Sequence, residues 1–103
     1  MEIINASFNI KVVKEFTLAI NNQIQVLDIP QGSRFLCAFV DGSILRMSME
    51  VDDFAPTQQA RFVLISNGMV LPNNRTYLSS IKFPSHVYWH LYEYTQIDKE
   101  VAE

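Results

Sequence analysis

The stretch RFLCAFVDGSILRMSMEVD, Arg34–Asp52, decides the fold. Its second half, ILRMSMEVD (44–52), alternates. Leu45, Met47, Met49 and Val51 fall on one side of an extended chain, and Arg46, Ser48 and Glu50 on the other. Successive side chains of a strand point to opposite faces, so this reads as a half-buried strand. The first half, RFLCAFV (34–40), is apolar at nearly every position, the pattern of a strand buried on both sides. Between them stands Asp41-Gly42-Ser43. Asp-Gly between two apolar runs predicts a tight hairpin with a type I′ turn, positive in φ at both central residues.

Outward from this hairpin the same texture repeats. KVVKEFTL (11–18) and QIQVLDI (23–29) are strand-like, and Pro30-Gln31-Gly32-Ser33 reads as a turn with Gly32 free to take a positive φ. DFAPTQQ (53–59) reads as a loop, ARFVLIS (60–66) as a strand ended by Asn67-Gly68, and Met69 to Arg75 as an exposed excursion. TYLSSIKF (76–83) is a further strand, Pro84-Ser85 a break, and HVYWHLYEY (86–94) the last strand. About seven short strands with turn signals every 8–12 residues or so predict an all-β fold. The expected architecture is a small antiparallel sandwich or a partly open barrel. One domain covers 1–95, followed by a polar tail, QIDKEVAE, over 96–103. There is room for one short terminal helix, within 1–8 or 96–103.

The last strand carries two stripes. Val87, Trp89 and Leu91 share one face, a core face. His86, Tyr88, His90, Tyr92 and Tyr94 share the other, where each ring has an apolar body and a polar edge, as at an interface or a ligand groove. On a strand His86 and His90 are roughly 13 Å apart, at about 3.3 Å per residue. They cannot share one ion there, and no Cys or His cluster supplies other ligands, so no metal site is expected.

Composition narrows the function classes. Hydrophobic residues make up 49% of the 103 and charged ones 18%, which leaves more apolar surface than a small domain hides and points to self-association or a partner surface. The net charge is −3, with no basic stripe of the kind that grips long nucleic acids. Cys37 is the only cysteine and sits within the apolar run, where it reads as a small buried hydrophobe. No basic start with a long apolar segment opens the chain and no run reaches membrane-spanning length, so an intracellular protein is expected.

No catalytic constellation is legible. The three glycines, Gly32, Gly42 and Gly68, sit at separate turns and form no phosphate loop, and neither a Gly-x-Ser-x-Gly nor a His-Glu-x-x-His pattern occurs. The expectation is a binding protein without cofactor. Its candidate binding residues are Tyr88, His90, Tyr92 and Tyr94 with Arg46, Arg61 and Arg75. Guanidinium on phosphate with ring on base is the usual equipment for gripping a nucleotide, and the same residue types serve protein interfaces.

Several landmarks occur in a familiar order. They are Lys14-Glu15-Phe16-Thr17-Leu18, Ile29-Pro30-Gln31-Gly32-Ser33, Val51-Asp52, Arg61-Phe62 and Tyr88-Trp89-His90-Leu91-Tyr92-Glu93. Over residues 11–94 the chain resembles a family of small uncharacterised phage and prophage proteins. These carry a Lys-Tyr-x-Leu strand, a Pro-x-Gly-Ala turn, a Val-Asp pair, an Arg-x-Phe strand and a closing Val-Trp-His-x-Phe/Tyr-Glu. Here Ser33 stands in place of the Ala, and Ser66-Asn67-Gly68 in place of a Gly-Thr-Gly. The resemblance implies a phage setting and the cytoplasm of a bacterial host. That setting, taken with the apolar surface, the lack of a catalytic constellation and the Arg and aromatic residues, leads to the expectation of a non-catalytic, homo-oligomeric inhibitor of a host defence system, acting by sequestering a signalling nucleotide. The alternatives are an inhibitor that blocks a host protein directly and a minor virion or assembly component.

Overall fold

A computed structural model describes residues 10–85 and 87–94. His86, either terminal helix and the 96–103 tail lie outside the described residues. Seven strands follow in chain order: β1 (Lys11–Ala19), β2 (Gln25–Pro30), β3 (Arg34–Asp41), β4 (Ile44–Asp52), β5 (Thr57–Ile65), β6 (Arg75–Lys82) and β7 (Tyr88–Tyr94). They form two antiparallel sheets. Sheet A has the order β1-β4-β3 and sheet B the order β2-β5-β7-β6. The sheets pack as an open sandwich, with β3 and β6 coming alongside each other at one edge.

The alternation in β4 does what its spacing requires. Leu45, Met47, Met49 and Val51 are all buried and meet Ile29, Phe62, Leu64, Ile81 and Leu91 of sheet B in a single core. As the middle strand of sheet A, β4 is flanked in register by β1 and β3, with Phe16 and Ala38 both opposite Met47. Burial of such side chains contributes about 1.5–3 kcal/mol each relative to exposure, so this one strand supplies a large share of the apolar driving force.

Three expectations need correction. The hairpin loop is Gly42-Ser43, closed by the Asp41–Ile44 pair, and among the described residues φ is positive at Gly42 (65°) but not at Ser43. That is the type II′ pattern, which needs glycine only at the first central position, so Asp41 ends the strand rather than entering the turn. Secondly, β3 is not buried on both sides but lies at the edge of sheet A. A bulge between Phe35 and Cys37 turns Leu36 and Cys37 outward, leaving Leu36, Cys37 and Phe39 exposed. Two residues opposing one is what allows consecutive side chains to share a face. Thirdly, β5 begins at Thr57, inside the stretch read as a loop, because residues 57–59 pair with Pro30, Ile29 and Asp28 of β2. Pro30 is tolerated because β2 is an edge strand.

Met69 to Arg75 is the largely exposed excursion expected, and it also has a covering role. β5 and β6 both run antiparallel to β7, which lies between them, so β5 and β6 are parallel to each other. The chain leaving Ile65 must travel back along the sheet before β6 can start at Arg75. The inner face is filled by sheet A, so the return lies on the outer face of sheet B. There Met69, Val70, Leu71 and Pro72 wall a small cleft with Ile24, Val63 and Ile65. Val63 and Ile65, on the outward phase of β5, are only 4% and 6% exposed in consequence. The turn at its start is fixed by Gly68 (φ 85°), a Met69 N–H donating to the Ser66 carbonyl at 3.2 Å, and the Ser66 hydroxyl donating to Met69 Sδ at 3.1 Å.

Candidate functional site

Residues paired across an antiparallel sheet share a face, so the register of sheet B fixes what its outer surface presents. The first row is Arg61–Tyr94–Arg75, running from β5 across β7 to β6. Val63–Tyr92–Tyr77 is the next, followed by Ile65–His90–Ser80 and then by Tyr88–Lys82. Rows are about 6.6–6.8 Å apart, two residues along a strand. The four tyrosines of the chain, Tyr77, Tyr88, Tyr92 and Tyr94, therefore lie on one face of one sheet.

The two-stripe reading of the last strand holds in phase. Leu91 is fully buried, and Trp89 packs half-buried against the core, its ring tilted over Phe83 at a centroid distance of 6.0 Å. Val87 lies just before β7 and is exposed, so the core stripe starts at Trp89. On the other phase Tyr88 is 50% exposed, while His90, Tyr92 and Tyr94 are half-buried.

Local contacts hold this face in order. The rings of Tyr77 and Tyr92 meet edge to face at 5.7 Å. The Ser80 hydroxyl bridges Tyr77 Oη and His90 Nδ1, each at 2.7 Å. That chain is possible because a bulge between Tyr77 and Ser79 inserts Leu78 and brings Ser80, rather than Ser79, onto the outer phase beside His90. One guanidinium nitrogen of Arg75 donates to the Pro72 carbonyl at 3.0 Å, tying the return segment to the first row. Along the outward phases of sheet B, the side chains that carry charge are the cationic Arg61, Arg75 and Lys82, with the exposed Asp28 of β2 one row beyond Arg61, in a chain whose net charge is −3.

Of the seven candidate residues, Arg61, Arg75, Tyr88, His90, Tyr92 and Tyr94 come together here, and Arg46 does not. Arg46 is on β4 of sheet A, paired in register with Thr17 and Phe39. Its Nε donates to Asp41 Oδ2 at 2.7 Å and its Nη1 lies 3.9 Å from Glu15 Oε1. The hydrogen bond to Asp41 raises its pKa further; desolvation opposes this, and the nearby charges of Asp41 and Glu15 add to it. It is an ion-paired side chain of the other sheet. Tyr77, Ser80 and Lys82 belong to the face but carry no motif signal in the sequence; only the β6–β7 register reveals them.

A family model described as a domain of unknown function, DUF7352, matches residues 9–101, which includes every strand of both sheets. The chain belongs to this family. No curated protein and no solved structure matches it. The DUF7352 match thus unites the Tyr/Arg face, the return segment and the core in one family unit, and its description assigns no activity to any of them. No helix among the described residues of this DUF7352 chain is long and apolar enough to cross a membrane.

Proposed function

We propose that this DUF7352 protein is a non-catalytic binding protein that captures a nucleotide on the outer face of sheet B. The observation that supports this most is the co-location of all four tyrosines with Arg61, Arg75 and Lys82 on one sheet surface of an acidic protein. Stacking on an aromatic ring holds any base, and a guanidinium fork holds a phosphate. Arg61 and Arg75 flank Tyr94 from both sides, and the Tyr92–Tyr77 row stands one two-residue step away. That step matches the reach from a base to its own phosphate. The wall formed by the return segment gives the surface a closed side, and the exposed rings of Tyr77 and Tyr88 leave it an open one. Long nucleic acid does not suit a face with three cations, because affinity for the polymer grows with the number of phosphates neutralised.

The resemblance to phage and prophage proteins supplies the setting. On this reading the protein acts in the cytoplasm of a bacterial host and inhibits a defence system by withdrawing its signalling nucleotide. A second reading, direct contact with a protein or with a further copy of the chain, is favoured by Val13, Leu36 and Phe39. These are exposed on the outward side of sheet A, away from the Tyr/Arg face. Isothermal titration against linear, cyclic and cyclic-di-nucleotides separates the two. Saturable heat with one class, abolished in the Arg61→Ala/Arg75→Ala double variant, is the expected result. Absence of heat throughout the panel overturns nucleotide capture.

A further inference from the structure

We propose a second ligand site, independent of the Tyr/Arg face: a cleft at the end of the sandwich that takes a small organic amine with an apolar body. The cleft has a volume of about 300 Å³, at the small end of ligand cavities. It opens between the sheets beside the β2–β3 turn. Its inner walls are apolar, with Met49 and Phe35 from sheet A and Ala60, Phe62 and Leu78 from sheet B, while Ser33, Arg34 and Gln58 make part of the lining polar. Leu78 is the residue inserted by the β6 bulge.

Into this cleft β7 projects a carboxylate. Glu93 pairs in register with Phe62 and Thr76, so it lies on the inward phase of the strand, the one that also carries Leu91. It is half-buried, and among the described residues it takes part in no ion pair and no side-chain hydrogen bond. Its carboxylate is thus free to accept an ammonium at the mouth of the cleft, a charge-assisted hydrogen bond being stronger than a neutral one. Arg34 contributes to the rim, but its register partner is Glu50, on the outward phase of sheet A. Glu93 is the acidic residue among those lining the cleft. A ligand ammonium pairs with it while its hydrocarbon or aromatic body fills the space between Met49 and Phe62. Charge and size together select an amine over an alcohol or an acid of the same shape.

Methionine-methyl NMR gives a direct reading, because Met49 lines this cleft while Met69 belongs to the return segment on the opposite side of sheet B. Tryptamine is the probe, with tryptophol and indole-3-propionate as its neutral and anionic counterparts. Tryptamine is expected to shift the Met49 methyl saturably and leave Met69 in place, with tryptophol at least tenfold weaker and the anion weaker still. Glu93→Gln, which keeps the shape of the side chain, should weaken tryptamine at least tenfold, and Ala60→Leu, which fills the cleft, should abolish the shift. Equal affinity for tryptamine and tryptophol overturns the proposal. So does unchanged tryptamine binding in Glu93→Gln, a shift confined to Met69, or no saturable shift at Met49.

Discussion

Two neighbouring substitutions in β7 test whether its faces have separate roles. Leu91 is fully buried, sits on the central core between Leu64 and the β6 strand, and has no polar atom to satisfy. Leu→Ala in a core costs about 2–5 kcal/mol, and a side chain with no exposure in a strand hydrogen-bonded on both sides has little freedom to let the site collapse. We expect Leu91→Ala to fall in the upper half of that range, about 3–5 kcal/mol. That is a large part of the roughly 5–15 kcal/mol that stabilises an ordinary domain. Tyr92, one residue on, faces out and is half-buried, with an edge-to-face contact to Tyr77. Such a ring pair contributes about 0.5–1.5 kcal/mol beyond its area, so Tyr92→Ala should cost about 1–2 kcal/mol in total. Urea unfolding followed by the fluorescence of Trp89, the single tryptophan, measures both. Both variants should shift the midpoint with the slope unchanged, Leu91→Ala by about two to four times as much as Tyr92→Ala. If Tyr92→Ala costs as much as Leu91→Ala, the outward stripe is structural and the division of the strand into a core face and a contact face is wrong.

Other expectations follow from single residues. Trp89→Ala should cost less than the roughly 3–5 kcal/mol of a fully buried tryptophan, because Trp89 is half-buried; calorimetry of the variant checks this. Arg46→Ala should leave nucleotide affinity unchanged in titration, since Arg46 is paired with Asp41 on sheet A, whereas Arg61→Ala should weaken it at least tenfold. Cys37 is exposed on the β3 edge and should react fully with a disulfide reagent in the native protein; protection until unfolding would contradict the bulge that turns it outward. Gly42→Ala meets no atom within 4 Å, so its cost should be that of the positive-φ backbone alone, about 1–3 kcal/mol in chemical denaturation.

The strands were legible in the sequence because their signals are local. The alternation of Leu45, Met47, Met49 and Val51 needs no partner to be read, and neither does that of Tyr88, His90, Tyr92 and Tyr94. Properties that depend on strand order were not legible. RFLCAFV looks like an interior strand, yet an edge strand with a bulge at Leu36 exposes the same residues. Met69 to Leu71 looks like an open loop, yet it covers Val63 and Ile65 because β7 is inserted between β5 and β6 and the chain has to return over the sheet. The candidate site divides along the same line. Its tyrosines could be grouped by period two, but Arg61 and Arg75 meet Tyr94 only through register, and nothing in the sequence separates them from Arg46. Glu93 shares the period-two phase of Trp89 and Leu91, but only its pairing with Phe62 and the position of the β2–β3 turn reveal that it lines a cleft.

The most direct measurement is an NMR titration of the protein, carbon-labelled in its tyrosine rings, with the nucleotide class that gives heat in calorimetry. All four tyrosines lie on the proposed face, so this label reports on that surface alone. Ring signals of Tyr77, Tyr92 and Tyr94 should move together and saturate at one stoichiometric ratio. Tyrosine rings that stay still while the nucleotide binds would put the ligand elsewhere on the molecule and contradict the account.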